Sequence, residues 1–128
     1  MRIQKVINIE DSAIKHSQVT KELKQYGIKE VFWARNAESG IDEIESAIDM
    51  GQPYDLLVLD MHFDFYGEDD RAAGEKTMKQ LQEKGIEIPV IICSSQNWNI
   101  PGAVANVFYN ERRYWEEDLK RALDKLIY

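Results

Sequence analysis

The chain has 128 residues, 44% of them hydrophobic and 30% charged, with a formal net charge of −7 at pH 7. That is the size and make-up of one folded domain with its own core, and its acidic surplus argues against unaided binding to nucleic acid, whose phosphates it would repel. No apolar run approaches the ~18 residues of a membrane span. The amino terminus lacks the apolar stretch of a signal peptide, and the single cysteine, Cys93, leaves no internal disulfide, so a cytoplasmic protein is expected.

Residues 3–9 (Ile3-Gln4-Lys5-Val6-Ile7-Asn8-Ile9) read as a first strand, ended by Glu10 and Asp11. Ser12 can start a helix over 12–26, in which Ile14, Val19, Leu23 and Tyr26 fall near helical spacing and Gly27 is a natural stop. Glu30–Ala34 has the β-branched and aromatic content of a second strand. Asn36 then caps a helix with Ile41, Ile44 and Ile48 on one face, broken by Gly51-Gln52-Pro53. In Tyr54-Asp55-Leu56-Leu57-Val58-Leu59-Asp60, the apolar run between two carboxylates suits a strand buried on both faces.

A long polar and aromatic connection, His62 to Arg71, precedes a helix over 72–84 with Met78 and Leu81 as core positions and Gly85 at its end. Ile88–Cys93 is a fourth buried strand ending in Ser94-Ser95, and Gln96–Ala103 has weak helical character at best. Val104–Tyr109 reads as a fifth strand. Tyr114–Leu126 is amphipathic, with Trp115, Leu119, Ala122, Leu123 and Leu126 on one face. Strands alternating with helices predict an α/β, doubly wound domain over residues 1–128, with a five-stranded parallel sheet and a shortened or missing fourth helix.

Three predicted strands end in polar groups: Glu10 with Asp11, then Asp60, then Ser94 with Ser95. In a parallel sheet these carboxyl ends share one edge, where open α/β sheets bind their ligands. Carboxylates within about 4–6 Å of one another repel unless a cation neutralises them. Oxygen ligands with no Cys or His favour a hard ion, Mg2+ above all. Singly, each group has an ordinary explanation: acids suit a helix start, and serines suit turns. Their convergence makes Asp60 the leading candidate. His16 reads as a surface residue, His62 as part of the loop and Cys93 as a small core residue.

On these residues the chain resembles the receiver domains of two-component response regulators, the CheY-like family. Glu10-Asp11 stands where receivers carry an acidic pair, and His16, Val19, Leu23 and Gly27 keep the spacing of the helix after it. Ala37, Gly40 and Ile44 are similar to the second helix, Pro53 to Asp60 to the phosphoacceptor strand, and Ile88 to Ser94 to the strand ending in a switch Ser or Thr. The resemblance covers roughly residues 3–95. It implies strand order 2-1-3-4-5. It also implies that Asp60 accepts a phosphoryl group as a carboxylate nucleophile, from a sensor histidine kinase or phosphotransfer protein. Glu10, Asp11, Asp60 and the backbone carbonyl of His62 would hold Mg2+, and Ser94 would move toward the phosphoryl group. The chain would then be a stand-alone switch, not an enzyme beyond weak autophosphorylation and self-dephosphorylation, passing its signal to a downstream protein or through a homodimer.

The chain departs from that pattern in three places. Receivers carry a Lys at the end of the fifth strand; here no Lys lies between Lys84 and Lys120, and Arg112 or Asn110 are the candidate replacements. The connection after Asp60 is longer than the usual turn and holds Asp64 and the run Glu68-Asp69-Asp70, as a surface loop or as a lid or docking loop. Pro101-Gly102 interrupts the fourth crossover. Two rival readings are a phosphorylation-independent pseudo-receiver serving as an interaction module, and a small Mg2+-dependent phosphatase or phosphotransferase with Asp60 as nucleophile, which lacks a second carboxylate just past Asp60 unless Asp64 serves.

Overall fold

A computed structural model describes residues 2–112 and 114–127. Strand β3 (Leu56–Leu59) lies at the centre of a parallel sheet with β1 (Lys5–Ile9), β2 (Glu30–Ala34), β6 (Val90–Ser94) and β7 (Ala105–Phe108), in the order β2-β1-β3-β6-β7. All four residues of β3 are buried, as an uninterrupted Leu-Leu-Val-Leu run requires when both faces are covered. The register pairs Ile9 with Ala34 and Leu59, and Leu59 with Ile92. The carboxyl ends of β1, β3 and β6 therefore finish side by side.

Helices α1 (Ala13–Tyr26) and α4 (Trp115–Leu126) cover one face. Helices α2 (Ala37–Asp49) and α3 (Ala73–Glu83) cover the other. The caps are those expected: the Ser12 side chain accepts from the Lys15 N–H, the Asn36 side chain accepts from the Ser39 N–H, and Gly27 takes the left-handed conformation at φ 109°. The five apolar positions expected on α4 are all buried.

Two expectations about helix faces fail. Ile14 is 73% exposed and Ile48 is 43% exposed. The buried stripe of α1 is instead Lys15, Val19 and Leu23, one residue out of phase with Ile14.

The connection after β3 is not an irregular loop. It forms an antiparallel hairpin of β4 (Phe63–Phe65) and β5 (Glu68–Asp70). Tyr66 and Gly67, both at positive φ (52° and 94°), make its two-residue turn, the conformation whose twist matches the flanking strands. Asp64 accepts from the Gly67 N–H at 3.0 Å, and Phe63 is fully buried against the α2–α3 face. An isolated bridge between Asn36 and Asp64 ties the hairpin to the end of β2. Between β6 and β7, as expected, no helix is formed.

Candidate functional site at the carboxyl edge

Backbone hydrogen bonds set the strand ends before any side chain acts. The Asp60 N–H donates to the Ile9 carbonyl at 3.1 Å, and the Glu10 N–H donates to the Ala34 carbonyl at 2.9 Å. Gly74 brings the start of α3 hard against this edge: its N–H donates to the Met61 carbonyl at 3.1 Å, and a Cβ placed on it would lie 2.3 Å from the Asp60 carbonyl oxygen. Only glycine fits that approach.

Glu10, Asp11 and Asp60 meet as predicted, each offering a carboxylate oxygen within 4.8 Å of the others. Glu10 and Asp60 are buried, and Asp11 faces solvent. An all-oxygen set of this kind fits a hard divalent cation, with Asp11 at the open side. The Trp33 indole N–H donates to the Glu10 carbonyl at 2.6 Å. The Ser12 N–H donates to Glu10 Oε2 at 3.1 Å, so the α1 cap also orients this carboxylate.

Lys15 enters the same pocket. Its Nζ lies 2.9 Å from Glu10 Oε1 and 3.1 Å from Asp60 Oδ1, and donates to the Cys93 carbonyl at 2.6 Å. The side chain is 8% exposed, with the Tyr109 ring centroid 5.3 Å from Nζ. Taking two carboxylates and an ammonium out of water is costly, and removing the ammonium would leave both carboxylates uncompensated. Burial pushes the Glu10 carboxyl up to about 7, with Lys15 opposing the rise. Burial also disfavours the Lys15 charge, but Cys93, Asp60 and Glu10 around it more than offset this and raise its pKa. The Cys93 thiol is pushed up to about 12 by burial, which makes it an inert core residue.

The remaining predicted residues take other places. Ser94 is buried at the end of β6, its hydroxyl accepting from the Gln96 N–H at 3.2 Å. The His62 side chain turns outward and pairs with Asp69 at 2.9 Å. Asp64 is spent on the hairpin turn. Arg112 is exposed, and its backbone N–H donates to the Asn110 side chain at 2.8 Å, so both candidate replacements are engaged in a local turn. The cation at the site comes from α1.

Lys15 was absent from the sequence-derived site, although a signal for it existed. Its spacing of four from Val19 and eight from Leu23 puts a charged residue on the buried stripe of an otherwise amphipathic helix. His16 likewise is no free surface group: it stacks on Trp33 with centroids 4.5 Å apart, and its Nδ1 lies 2.7 Å from Asn8 Oδ1.

A scan against protein-family models finds none that matches the chain. No curated protein matches its sequence either. Its fold, in contrast, matches solved structures. The N-terminal domain of a response regulator/sensory box/GGDEF three-domain protein from Carboxydothermus hydrogenoformans superposes with a TM-score of 0.71 at 20% identity, covering 95% of this chain and 92% of that one. RcsB from Salmonella enterica serovar Typhimurium, bound to promoter rprA in the presence of phosphomimetic BeF3-, gives 0.77 at 17% identity over 96% of this chain and 61% of its own. The receiver domain of the Arabidopsis thaliana histidine kinase CKI1, complexed with Mg2+ and BeF3-, gives 0.57 at 19% identity over 75% and 68%. The sheet order, the alternating helices and these superpositions agree that the chain has the response regulator receiver fold.

Proposed function

We propose that this chain is a two-component receiver that takes a phosphoryl group on Asp60 from a histidine kinase or phosphotransfer protein and thereby switches its binding to a downstream partner. The observation that carries the reading is the meeting of Asp60 with Glu10 and Asp11 at the carboxyl edge of the sheet. The fold shared with receiver structures supports it, as does the CKI1 receiver complexed with Mg2+ and BeF3-.

In this reading one Asp60 carboxylate oxygen forms an O–P bond as the P–N bond to the donor imidazole breaks. The electron pair returns to the imidazole nitrogen, which takes a proton from solvent. Glu10, Asp11, Asp60 and the His62 backbone carbonyl are the groups that would hold Mg2+, which when bound supplies charge neutralisation for the phosphoryl oxygens. Glu10 is oriented for this by the Ser12 N–H. Ser94, at the neighbouring strand end, donates a hydrogen bond from its hydroxyl to a phosphoryl oxygen, its oxygen being the acceptor of the Gln96 N–H. The aspartyl phosphate brings up to about two negative charges where there was one, and that change biases the switch. The chain acts as substrate and switch, with self-dephosphorylation as its own weak activity.

The test is intact-protein mass after incubation with acetyl phosphate and Mg2+. A phosphoryl adduct is expected on the wild type and not on Asp60→Asn. No adduct, together with no beryllofluoride binding, would refute the phosphoryl reading and leave a phosphate-independent interaction module.

A further inference from the structure

The Lys15 ammonium occupies the space between Glu10 and Asp60 that a divalent ion shared by their carboxylates would need. It is 2.9 Å from one and 3.1 Å from the other, within a ligand set whose oxygens span at most 4.8 Å. Two cations cannot share that space, since at a few ångströms their repulsion in a partly dry pocket is worth several powers of ten in affinity. Metal entry therefore requires Nζ to move.

The lysine has somewhere to go. It is held to the β6 end by the Cys93 carbonyl, next to Ser94, and it leans on the Tyr109 ring just past β7. An anion built onto Asp60 would find it within reach on that side. Among the described residues, the predicted alternatives do not compete for this place: Arg112 is exposed, and Asn110 is tied to the Arg112 backbone.

We propose that Lys15 is an exchangeable resident cation of the site. It offsets part of the negative charge of Glu10 and Asp60 while no divalent ion is bound, yields to the ion, and then pairs with the phosphoryl group on Asp60. The proposal rests on the phosphoryl reading above and deepens it. It makes Lys15 a competitor of the metal and a partner of the anion, so a single substitution moves the two affinities in opposite directions.

Lys15→Gln and the similarly sized Lys15→Met are the test variants. Mg2+ titrated alone, followed by calorimetry, should bind at least about tenfold more tightly to both than to the wild type. Beryllofluoride in saturating Mg2+ should bind roughly ten- to a hundredfold more weakly, the loss expected for one charge-assisted hydrogen bond. Unchanged or weakened Mg2+ affinity, or unchanged beryllofluoride affinity, overturns the proposal.

A measurement on the wild type keeps it testable if the variants fail to fold. Amine-reactive labelling read by peptide mass should show Lys15 protected without metal, several-fold more reactive with Mg2+, and protected again with Mg2+ and beryllofluoride. Reactivity unmoved by bound Mg2+ overturns it. Wild type that binds no beryllofluoride at all sinks the phosphoryl reading itself. Wild type and both variants binding it equally sinks only the role of Lys15.

Discussion

Asp55 and Asp60 flank the same four-residue strand, one at each end of β3. At the amino edge Asp55 Oδ2 accepts from the backbone N–H groups of Gln4 and Lys5 at 2.9 and 3.0 Å, and the Asp55 N–H donates to the Lys5 carbonyl at 2.8 Å. At the carboxyl edge Asp60 meets two other carboxylates and a lysine ammonium. Backbone donors are fixed in place by the sheet and tie Asp55 down as a clamp between β1 and β3. Side-chain partners can exchange, and the groups around the Asp60 carboxylate, Glu10, Asp11 and Lys15, are of that kind. The same residue type serves as a rivet at one end of the strand and as reactive chemistry at the other.

The sharpest way to break this contrast is a pair of substitutions. Asp60→Asn should abolish the phosphoryl adduct entirely, whereas Asp55→Asn should leave the adduct in place, both read by intact mass under acetyl phosphate and Mg2+. Loss of the adduct in both would mean that the two ends are not separable. Next in size, Gly74→Ala should destabilise the fold by about 1–3 kcal/mol, because its Cβ would meet the Asp60 carbonyl at 2.3 Å and Met61 Sδ at 2.7 Å. Since that clash is with the Asp60 backbone, Mg2+ affinity should fall with it; a urea melt and a Mg2+ titration on one preparation check both. Asp55→Ala should cost about 1–2 kcal/mol in the same melt, through two backbone hydrogen bonds at a half-exposed site, with Mg2+ affinity unchanged.

The smallest effect is expected from His16. Burial against Trp33 lowers its pKa, so the unfolded chain binds the proton more readily than the folded one. Its contribution is therefore fully present above the unfolded value of about 6.5 and is lost as pH falls through the lowered folded value. Glu10 contributes with the opposite sign: raised to about 7, it favours the fold at lower pH and loses that contribution as pH climbs toward 7. Urea melts of wild type and His16→Gln at pH 7.5 and 5.5 isolate the histidine; the difference between the two proteins should narrow or reverse at the lower pH.

Most of the fold was legible from the sequence because the chain obeys simple rules where it forms regular elements. Buried strands read as apolar runs, Ser12 and Asn36 cap as such residues do, and Gly27 stops its helix. The meeting of Glu10, Asp11 and Asp60 followed from parallel topology alone. What α1 hid has a plain cause: hydrophobicity stood in for burial. On α1 the isoleucine at 14 is exposed and the lysine at 15 is buried, because the pocket it fills is built from charges three strands wide and not from apolar side chains. The spacing of Lys15 from Val19 and Leu23 marks it as facing inward, but the carboxylates that wait across the sheet edge leave no trace in residues 12–26. The hairpin escaped for a different reason. Its turn is Tyr66-Gly67 in place of the Asn-Gly or Asp-Gly that signals such a turn, and Phe63, which anchors it, lies in a connection that reads as mixed polar and aromatic.

The helix-free crossover between β6 and β7 has a consequence in time. Helical amides shield one another from water, and strand amides are shielded by their ladder. In residues 95–103 the few bonds run singly, Gln96 N–H to the Ser94 hydroxyl, Ile100 N–H to the Asn106 side chain and Ala103 N–H to the Ile100 carbonyl. Each opens without waiting for a neighbour. Deuterium should enter this segment long before it enters β3 or β6, with protection stepping down after Ser94 and returning only at β7. The clock of this part of the molecule therefore runs apart from that of the sheet on either side of it.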